Sequence, residues 1–284
     1  MKKTDRIELY VCCHKTSFVP ENDLLFPIQV GAALTDSRFP GFLYDDEGEN
    51  ISKKNRSYCE LTAQHWAWKN SRADYLGFFH YRRYLYPDPD ARFPYRIASK
   101  PNAELLKRLG YEDFAALIRD HDMIMPIGEN MHVSVRDHYA SAPCHIPEDL
   151  VRMEKIIKEY CPDYIDAMEQ YFSGSVHYFG NIHIMRRELF KHYCEWLFPL
   201  LDMFDQETDF SSRNAQEMRA DGYLGERLLG VYYTRHKNEW KTLELPRVHF
   251  DALDGSPDWK GRAAYLILPP GTKRRAWVKD RIKT

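Results

Sequence analysis

Residues 50–85 read NISKKNRSYCELTAQHWAWKNSRADYLGFFHYRRYL, and this stretch joins a helical pattern to a short apolar strand with a polar, mostly cationic end. Residues 75–79, YLGFF, have the continuous apolar character of a strand buried on both faces. In open α/β sheets, ligands bind at the carboxyl ends of such strands. The residues that follow at this predicted edge are His80, Tyr81, Arg82 and Arg83.

The two adjacent arginines are the first candidates for ligand binding. A guanidinium group offers a flat fork of donors that suits phosphate oxygens, so Arg82 and Arg83 predict a site for a diphosphate. If the strand continues past His80, the two side chains project to opposite sides and at most one of them faces a cleft. Two solvated arginines at a strand end are the alternative interpretation.

The residues before this strand predict a polar turn followed by a helix. Ser57 and Glu60 have the spacing of a capping box, which predicts a helix that begins near residue 58 and ends near residue 69. Upstream, residues 45–50 read DDEGEN, an acidic turn that can hold a ribose or a metal, or can be merely solvated. The candidate ligands in this turn are Asp46 and Asn50.

The rest of the chain alternates predicted strands and helices, which indicates an α/β fold. Residues 7–13 read as the first strand of a nucleotide-binding half, with His14 at its carboxyl end. Because there is no repeat and no low-complexity linker, we expect one compact unit. The other predicted elements are strands at 123–126 and 181–185, and helices at 103–120, at 147–172 with a break at Pro162, and at 187–204 with a bend or break near Pro199.

Composition limits the function classes. At 284 residues the chain can bury the core of one large α/β domain, and its net charge of -2 argues against general nucleic-acid binding. The six cysteines show neither a CxxC pair nor the spacing of a disulfide framework, so reduced cytoplasmic thiols are the simplest interpretation. No window resembles a signal peptide or a membrane span.

The carboxyl-terminal residues form a separate prediction. Residues 1–250 are expected to make the main domain and residues 251–284 an extension. The extension ends in TKRRAWVKDRIKT, in which basic residues surround Trp277. Such a mixture can rest on an anionic membrane surface, and a solvated tail is the alternative.

Several motifs, in a fixed order, resemble bacterial capsular and exopolysaccharide glycosyltransferases that have long been catalogued under a domain of unknown function. The resemblance extends to about residue 250 and rests on IELYVCCHK, FPIQVGAAL, DDEGENIS, YCELTAQHWAWKN, YLGFFHYRRYL, GNIHIMRRELFKHYCEWLFPLL and RADGYLGERLLGVYY. It implies a single GT-A-like nucleotide-sugar-binding domain with a mixed, mostly parallel central sheet and a helical acceptor-side portion.

The same resemblance implies transfer of a sugar from a nucleotide-diphosphate donor to a glycan or lipid-linked glycan in capsule, exopolysaccharide or O-antigen synthesis. A UDP-sugar is the favoured donor, and UDP-galactofuranose is one candidate because some relatives are associated with its transfer. The enzyme would be cytoplasmic, with peripheral contact at the inner membrane through the basic tail as a further expectation. The residues expected to bind the donor are His14, Asp46 and Asn50 at the nucleoside, and His80, Arg82 and Arg83 near the diphosphate.

An inverting transfer needs a base that takes the proton of the acceptor hydroxyl. Glu226, in the predicted helix GYLGERLLGVYY, is our candidate, because Gly222 and Gly225 leave space for an acceptor beside it. Asp221 is the competing carboxylate or a helix cap, and Glu226 can instead pair with a neighbouring arginine as a structural residue. Asn181 is expected to bind acceptor hydroxyls or to form a turn.

Metal dependence stays open at this stage. GT-A enzymes commonly bind a divalent cation through an Asp-x-Asp motif at a strand end, where this chain has HYRR, so we expect cationic side chains in place of a metal. Asp88 and Asp90 form a literal Asp-x-Asp in the loop YPDPD, but no apolar strand precedes it. His132, His138 and His145 do not have the spacing of a zinc site and are expected to be surface histidines. A glycan-binding or scaffold protein that has lost catalysis is the alternative function.

Overall fold

The computed structural model describes residues 5–250, and its centre is a mixed sheet with one long path of strands and a short branch. The order along the path is β11-β7-β10-β4-β1-β2-β3, and the branch contains β5, β6 and β12. The strands are β1 (Ile7–Cys13), β2 (Leu25–Gln29), β3 (Leu43–Tyr44), β4 (Tyr75–His80), β5 (Arg83–Leu85), β6 (Tyr95–Ala98), β7 (Met123–Pro126), β8 (Glu129–Asn130), β9 (Val176–His177), β10 (His183–Arg186), β11 (Thr242–Leu245) and β12 (Arg247–Phe250). β8 and β9 pair separately as a short antiparallel two-stranded sheet.

Strand direction decides which residues meet at the ligand-binding edge. β1 runs parallel to β2 and β4, and β11 runs parallel to β7, whereas β10 is antiparallel to both of its neighbours, β4 and β7. The carboxyl ends of β1 and β4 therefore lie at the same edge as the amino end of β10. The mixed, mostly parallel sheet that the sequence indicates is confirmed.

The apolar runs of the sequence form strands because both faces of the sheet are covered. All seven residues of β1 are buried, and so are the first five residues of β4. Tyr10 and Phe78 stack on each other on one face, while Leu9 and Phe79 belong to the core on the opposite face. The predicted strands at 7–13, 75–79 and 123–126 are confirmed, with β4 one residue longer than expected.

The helices pack on the two faces of the sheet, and the larger group lies on the face of Tyr10 and Phe78. In this group α7 packs on α9, and α6 and α2 pack on α8. The described helices are α1 (Asn55–Tyr58), α2 (Leu61–Asn70), α3 (Ala103–Arg108), α4 (Phe114–Arg119), α5 (Val135–Ser141), α6 (Pro147–Tyr160), α7 (Ile165–Ser173), α8 (Arg187–Glu207) and α9 (Ala220–His236). No helix within residues 5–250 is long and apolar enough to cross a membrane.

Two helix predictions were wrong and one is confirmed. The single helix expected at 103–120 is two helices, α3 and α4, because the chain turns at Gly110 with a φ of 82°. The predicted capping box does not form: the hydroxyl of Ser57 binds Asp221 instead, and α2 begins only at Leu61. The break at Pro162 does separate α6 from α7, whereas α8 continues past Pro199 to Glu207.

Three glycines of α9 allow neighbouring elements to approach closely. A Cβ atom added at Gly222 would lie 2.9 Å from the sulfur of Cys59, and one added at Gly225 would lie 2.7 Å from Leu61. At Gly230 the added atom would lie 2.1 Å from the ring of Tyr171. These glycines therefore allow close helix packing. The expectation that Gly222 and Gly225 leave space for an acceptor stays a prediction.

We expect Gly230→Ala to lower the free energy of unfolding by about 1–3 kcal/mol, because the methyl group overpacks the contact with the Tyr171 ring. Urea unfolding of the variant and the parent measures this change. In a Tyr171→Ala background the same substitution should be neutral or stabilising, because the ring is gone and alanine favours the helix. An equal loss in both backgrounds would contradict the contact as the cause.

Candidate active site

A cavity of about 260 Å³ opens at the edge where β1 and β4 end and β10 begins. Its walls come from four parts of the chain: the ends of β1 and β4, the junction of α1 and α2, the loop that enters β10, and the start of α9. The lining residues are His14, Cys59, Glu60, His80, Tyr81, Arg82, Arg83, Gly180, Asn181, Arg219, Gly222, Tyr223 and Glu226.

Three arginines give the cavity its positive charge. Arg82 is exposed in the turn between β4 and β5, Arg83 is the first residue of β5, and Arg219 precedes α9. None of the three forms an ion pair with a carboxylate of residues 5–250, and Arg219 donates to the sulfur of Cys59 over 3.3 Å. Because the chain turns after His80, both Arg82 and Arg83 line the cavity, which corrects the expectation that at most one of them faces it.

The two imidazoles of the cavity, His14 and His80, are neutral. Burial lowers the pKa of His80 well below its usual value, and Arg83 is the largest of the charges that add to this effect. Burial also lowers the pKa of His14, with the charge of Lys15 next in importance. The arginines therefore carry the positive charge of this site at neutral pH.

A backbone hydrogen bond determines the tautomer of His80. The backbone N–H of Arg82 donates to Nδ1 of His80 over 3.2 Å, so Nδ1 is the unprotonated nitrogen. In the neutral ring Nε2 then carries the hydrogen, and Nε2 lies 3.7 Å from Oε1 of Glu60. His80 thus presents an N–H group to a carboxylate at the cavity wall.

Glu226 lines the cavity with both of its carboxylate oxygens engaged. Oε1 accepts from the backbone N–H of Gly180 over 3.0 Å, and Oε2 accepts from Nη1 of Arg227 over 2.7 Å. The Arg227 side chain is only 4% exposed and lies over the ring of Tyr139, whereas the Glu226 side chain is 19% exposed. The carboxylate is therefore held in one orientation from two sides.

Asn181 lines the cavity in an unusual backbone conformation. Its φ is 51°, in the left-handed region that asparagine tolerates better than most residues, and β10 consequently begins at His183 rather than at 181 as expected. The side-chain Nδ2 donates to the carbonyl of Gly222 over 3.0 Å, which ties the loop to α9. The buried Oδ1 accepts no hydrogen bond from the described part of the chain.

Three of the predicted site residues lie outside the cavity lining. Asp221 is completely buried beside Ser57, and burial raises its pKa well above the usual value, with the neighbouring Asp205 adding to the shift. Asp46 forms two hydrogen bonds with Arg38, of 2.8 and 2.7 Å, and Asn50 donates to carbonyls of its own turn. None of these three side chains therefore lines the cavity with Arg82, Arg83 and Arg219.

The buried carboxylate of the acidic turn is Asp45, which the sequence did not single out. It accepts hydrogen bonds from the backbone N–H groups of Gly31 and Ala32 and from the hydroxyls of Ser52 and Thr62. Four donors on one fully buried carboxylate tie the turn to the end of β2 and to α2. Asp45 therefore stabilises the conformation of the turn.

The sequence predictions give six lining residues no role at the site: Cys59, Tyr81, Gly180, Arg219, Tyr223 and Glu60, which they assign to a helix cap. Each of them flanks a residue that the sequence did single out, and this proximity was the available signal.

The expectation of surface histidines is wrong at two positions. His138 and His145 are partly buried, and their rings lie 4.7 Å from the ring of His177 and 4.3 Å from the ring of Tyr223 respectively. Burial lowers the pKa of His145 to about 4, so it packs as a neutral ring beside the cavity.

The lining residues do not fit a divalent cation. Magnesium and calcium prefer several oxygen ligands. The charged residues of the cavity are three arginines and two glutamates, and the two glutamates lie on different walls, Glu60 at the junction of α1 and α2 and Glu226 in α9. Within residues 5–250, no group of three or more His, Cys, Asp or Glu side chains is arranged to hold a metal. Asp88 and Asp90 do not line the cavity.

The chain matches the model of one protein family and is similar to a solved structure. The model of a family described as a domain of unknown function (DUF4422) matches residues 8–238. The apo structure of the bifunctional glycosyltransferase WbbM is similar to this chain, with a TM-score of 0.81 and 30% sequence identity. The similarity covers 87% of this chain and 45% of that chain, so this chain spans less than half the length of WbbM. No curated protein matches the chain.

Proposed function

The chain belongs to the DUF4422 family, and we propose from this premise that it is a glycosyltransferase that uses a nucleotide-diphosphate sugar. The observation that carries the proposal is the cluster of Arg82, Arg83 and Arg219 in one cavity, without carboxylate partners within residues 5–250. Three arginines line the cavity with two glutamates, one of which is paired with Arg227, so the cleft carries an excess of positive charge that suits an anionic ligand. The similarity to a bifunctional glycosyltransferase supports a nucleotide-diphosphate sugar as that ligand.

The three guanidinium groups would act on the leaving group. When the bond between the sugar and the diphosphate breaks, negative charge collects on the phosphate oxygens, and preorganised donors at that place lower the barrier. We propose that arginines take this role without a divalent cation. His14 lies at the end of β1 in the same cavity, and the neutral His80 adds a hydrogen-bonding ring without a further charge.

The acceptor would approach from the side of α9 and the loop that enters β10. Asn181 supplies a buried carbonyl oxygen that no described residue uses, which suits a sugar hydroxyl as donor. Two carboxylates line the cavity, Glu60 and Glu226, and an inverting transfer needs one of them as the base. Glu226 is the candidate that the sequence favours.

The finer identity of donor and acceptor is part of the proposal. We favour a UDP-sugar, with UDP-galactofuranose as one candidate, and a glycan or lipid-linked glycan acceptor of bacterial capsule, exopolysaccharide or O-antigen synthesis. Asp46 and Asn50 would contact the nucleoside only if the donor extends beyond the cavity lining. The basic tail with Trp277, which would contact the inner membrane, and the extension at 251–284 lie outside the described residues.

A panel of nucleotides tests the proposal. UDP, GDP, CMP and their common sugar conjugates are added to the full chain with manganese or with EDTA, and the thermal midpoint and the release of nucleoside diphosphate are measured. Binding at 100 times Kd stabilises the folded state by about 2.7 kcal/mol, so a UDP-sugar should raise the midpoint clearly and equally with EDTA.

The outcomes separate the proposed enzyme from its alternatives. Slow release of UDP without acceptor supports a transferase, whereas binding of a UDP-sugar without any release supports the catalytically inactive glycan-binding or scaffold protein. Stabilisation that disappears with EDTA would contradict metal-independent binding. No response to any nucleotide would contradict the donor class altogether.

A further inference from the structure

The two carboxylates of the cavity differ in what surrounds them. Both oxygens of Glu226 accept hydrogen bonds, one from the backbone of Gly180 and one from the buried Arg227. The side chain of Glu60 is 18% exposed and accepts no hydrogen bond from any other described residue, and Nε2 of His80 lies 3.7 Å from its Oε1. One carboxylate is thus committed to the protein, while the other has lone pairs free for a ligand.

We propose that Glu60 is the catalytic base of this site and that Glu226 shapes the cavity wall. The proposal rests on the proposed inverting sugar transfer. It assigns to Glu60 the role that the sequence suggested for Glu226. The reason is geometric: a base must direct a free lone pair at the acceptor hydroxyl, and Glu60 faces the same cavity as Arg82, Arg83 and Arg219.

His80 is the positioning residue in this arrangement. Its Nδ1 accepts from the backbone of Arg82, so the hydrogen is carried by Nε2, which lies 3.7 Å from Oε1 of Glu60. Burial and the arginines keep the imidazole neutral, so it can orient the carboxylate without forming an ion pair with it. An ion pair would lower the pKa of Glu60 and make it a weaker base.

The charges around Glu60 favour a base that works near neutral pH. Burial raises the pKa of Glu60 above its usual value, whereas a hydrogen bond from its own backbone N–H and the charges of Arg219 and Arg83 lower it, and the charge of Glu226 raises it. Arrival of an anionic diphosphate beside these arginines offsets their effect and raises the pKa again. The titratable and charged groups that interact electrostatically with Glu60 are Cys12, Cys59, His80, Tyr81, Arg83, Arg219 and Glu226.

The chemical step balances with the groups present. The acceptor oxygen gives its proton to the Glu60 carboxylate and forms a bond to the anomeric carbon of the sugar. The bond between that carbon and the phosphate oxygen breaks, and its electron pair stays on the nucleoside diphosphate. With water as the acceptor the same step is hydrolysis, so the base can be tested before the natural acceptor is identified.

Glu60→Gln tests the assignment with UDP-sugars as the probe. Release of UDP from the UDP-sugar that the parent hydrolyses fastest is measured between pH 5 and pH 9, and the affinity for UDP is measured by calorimetry. The isosteric amide cannot accept the proton, so the rate should fall by about 10²- to 10⁴-fold. The affinity for UDP should stay within about threefold, because the arginines are unchanged.

The pH profile separates a base from a structural residue. In the parent, release should decline on the acid side as Glu60 becomes protonated, and this decline should lie at higher pH than for an ordinary glutamate. The decline should vanish in Glu60→Gln but persist in the residual activity of Glu226→Gln. Glu60→Asp, which keeps the carboxylate, should restore part of the rate and the acid-side decline.

A matched control comes from α3, where Glu104 has a side chain that is 81% exposed. Glu104→Gln should release UDP at the parent rate. A Glu60→Gln variant with the parent rate and the parent pH profile would overturn the assignment, and so would loss of the acid-side decline in Glu226→Gln alone. If the parent itself neither binds UDP nor releases it from any UDP-sugar, the proposed function fails rather than the choice of base.

Discussion

Arg82→Ala should weaken the binding of UDP by about 10- to 100-fold, because a hydrogen bond to a charged group contributes about 1.5–3 kcal/mol. Arg82 lines the cavity from the turn after β4 and is largely exposed, without a carboxylate partner within residues 5–250. Its removal therefore leaves no buried group unpaired, and folding should be nearly unaffected. The effect is expected in binding of the diphosphate and in the rate of UDP release.

Two further variants identify the cause of this loss. Arg82→Lys keeps the charge but not the flat fork of donors, so it should recover part of the affinity. Arg72→Ala is the matched control, because Arg72 is also exposed but precedes β4 at the opposite end of the strand. Calorimetry with UDP and the thermal midpoint are measured for all three. Unchanged UDP affinity in Arg82→Ala would contradict a phosphate site at this turn.

Glu226→Gln should lower the free energy of unfolding by about 3 kcal/mol, the lower end of the cost of breaking a buried ion pair. Arg227 is 4% exposed, Glu226 is its one ion-pair partner within the described residues, and its Nε has no hydrogen-bond partner there. A neutral amide would leave this guanidinium without a counter-charge. For a domain of this size the thermal midpoint should fall by roughly 6–12 °C.

A double-mutant cycle tests this ion pair directly. Urea unfolding is measured for Glu226→Gln, for Arg227→Met and for the double variant, and the double variant should recover part of the stability because no charge stays buried. Glu60→Gln serves as the comparison: it should leave the midpoint within about 2 °C of the parent, since no other described residue donates a hydrogen bond to Glu60. A parent-like midpoint for Glu226→Gln would mean that Arg227 does not depend on this partner.

The sequence predicts elements well where a local pattern determines them. The strands at 7–13, 75–79 and 123–126 form close to their predicted ends because a long apolar run has no alternative to burial in a covered sheet. The break at Pro162 is equally local, since proline cannot continue the helix. The capping box fails because the partner of Ser57 is Asp221, far along the chain, and no local pattern reveals that competition.

The same reasoning explains how much of the site could be predicted. The position of Arg82 and Arg83 follows from the rule that ligands bind at the carboxyl ends of strands, and the structure places both in a cavity at that edge. In the acidic turn the buried partners belong to Asp45 and not to Asp46, and the local pattern DDEGEN does not distinguish the two carboxylates. The local pattern predicts a helix-cap role for Glu60. Its position in the cavity depends on β4 and α9, which come later in the chain, so no local pattern could indicate a role at the site.

The antiparallel course of β10 has a consequence for how such a protein can diversify. Because β10 enters the sheet from the ligand side, the short bend before it forms one wall of the pocket while the strand itself stays fixed between β4 and β7. Residues added or exchanged within this bend would reshape the pocket without altering any pairing in the sheet. Sugar preference could thus be grafted from one relative to another by exchanging a handful of residues between β9 and β10.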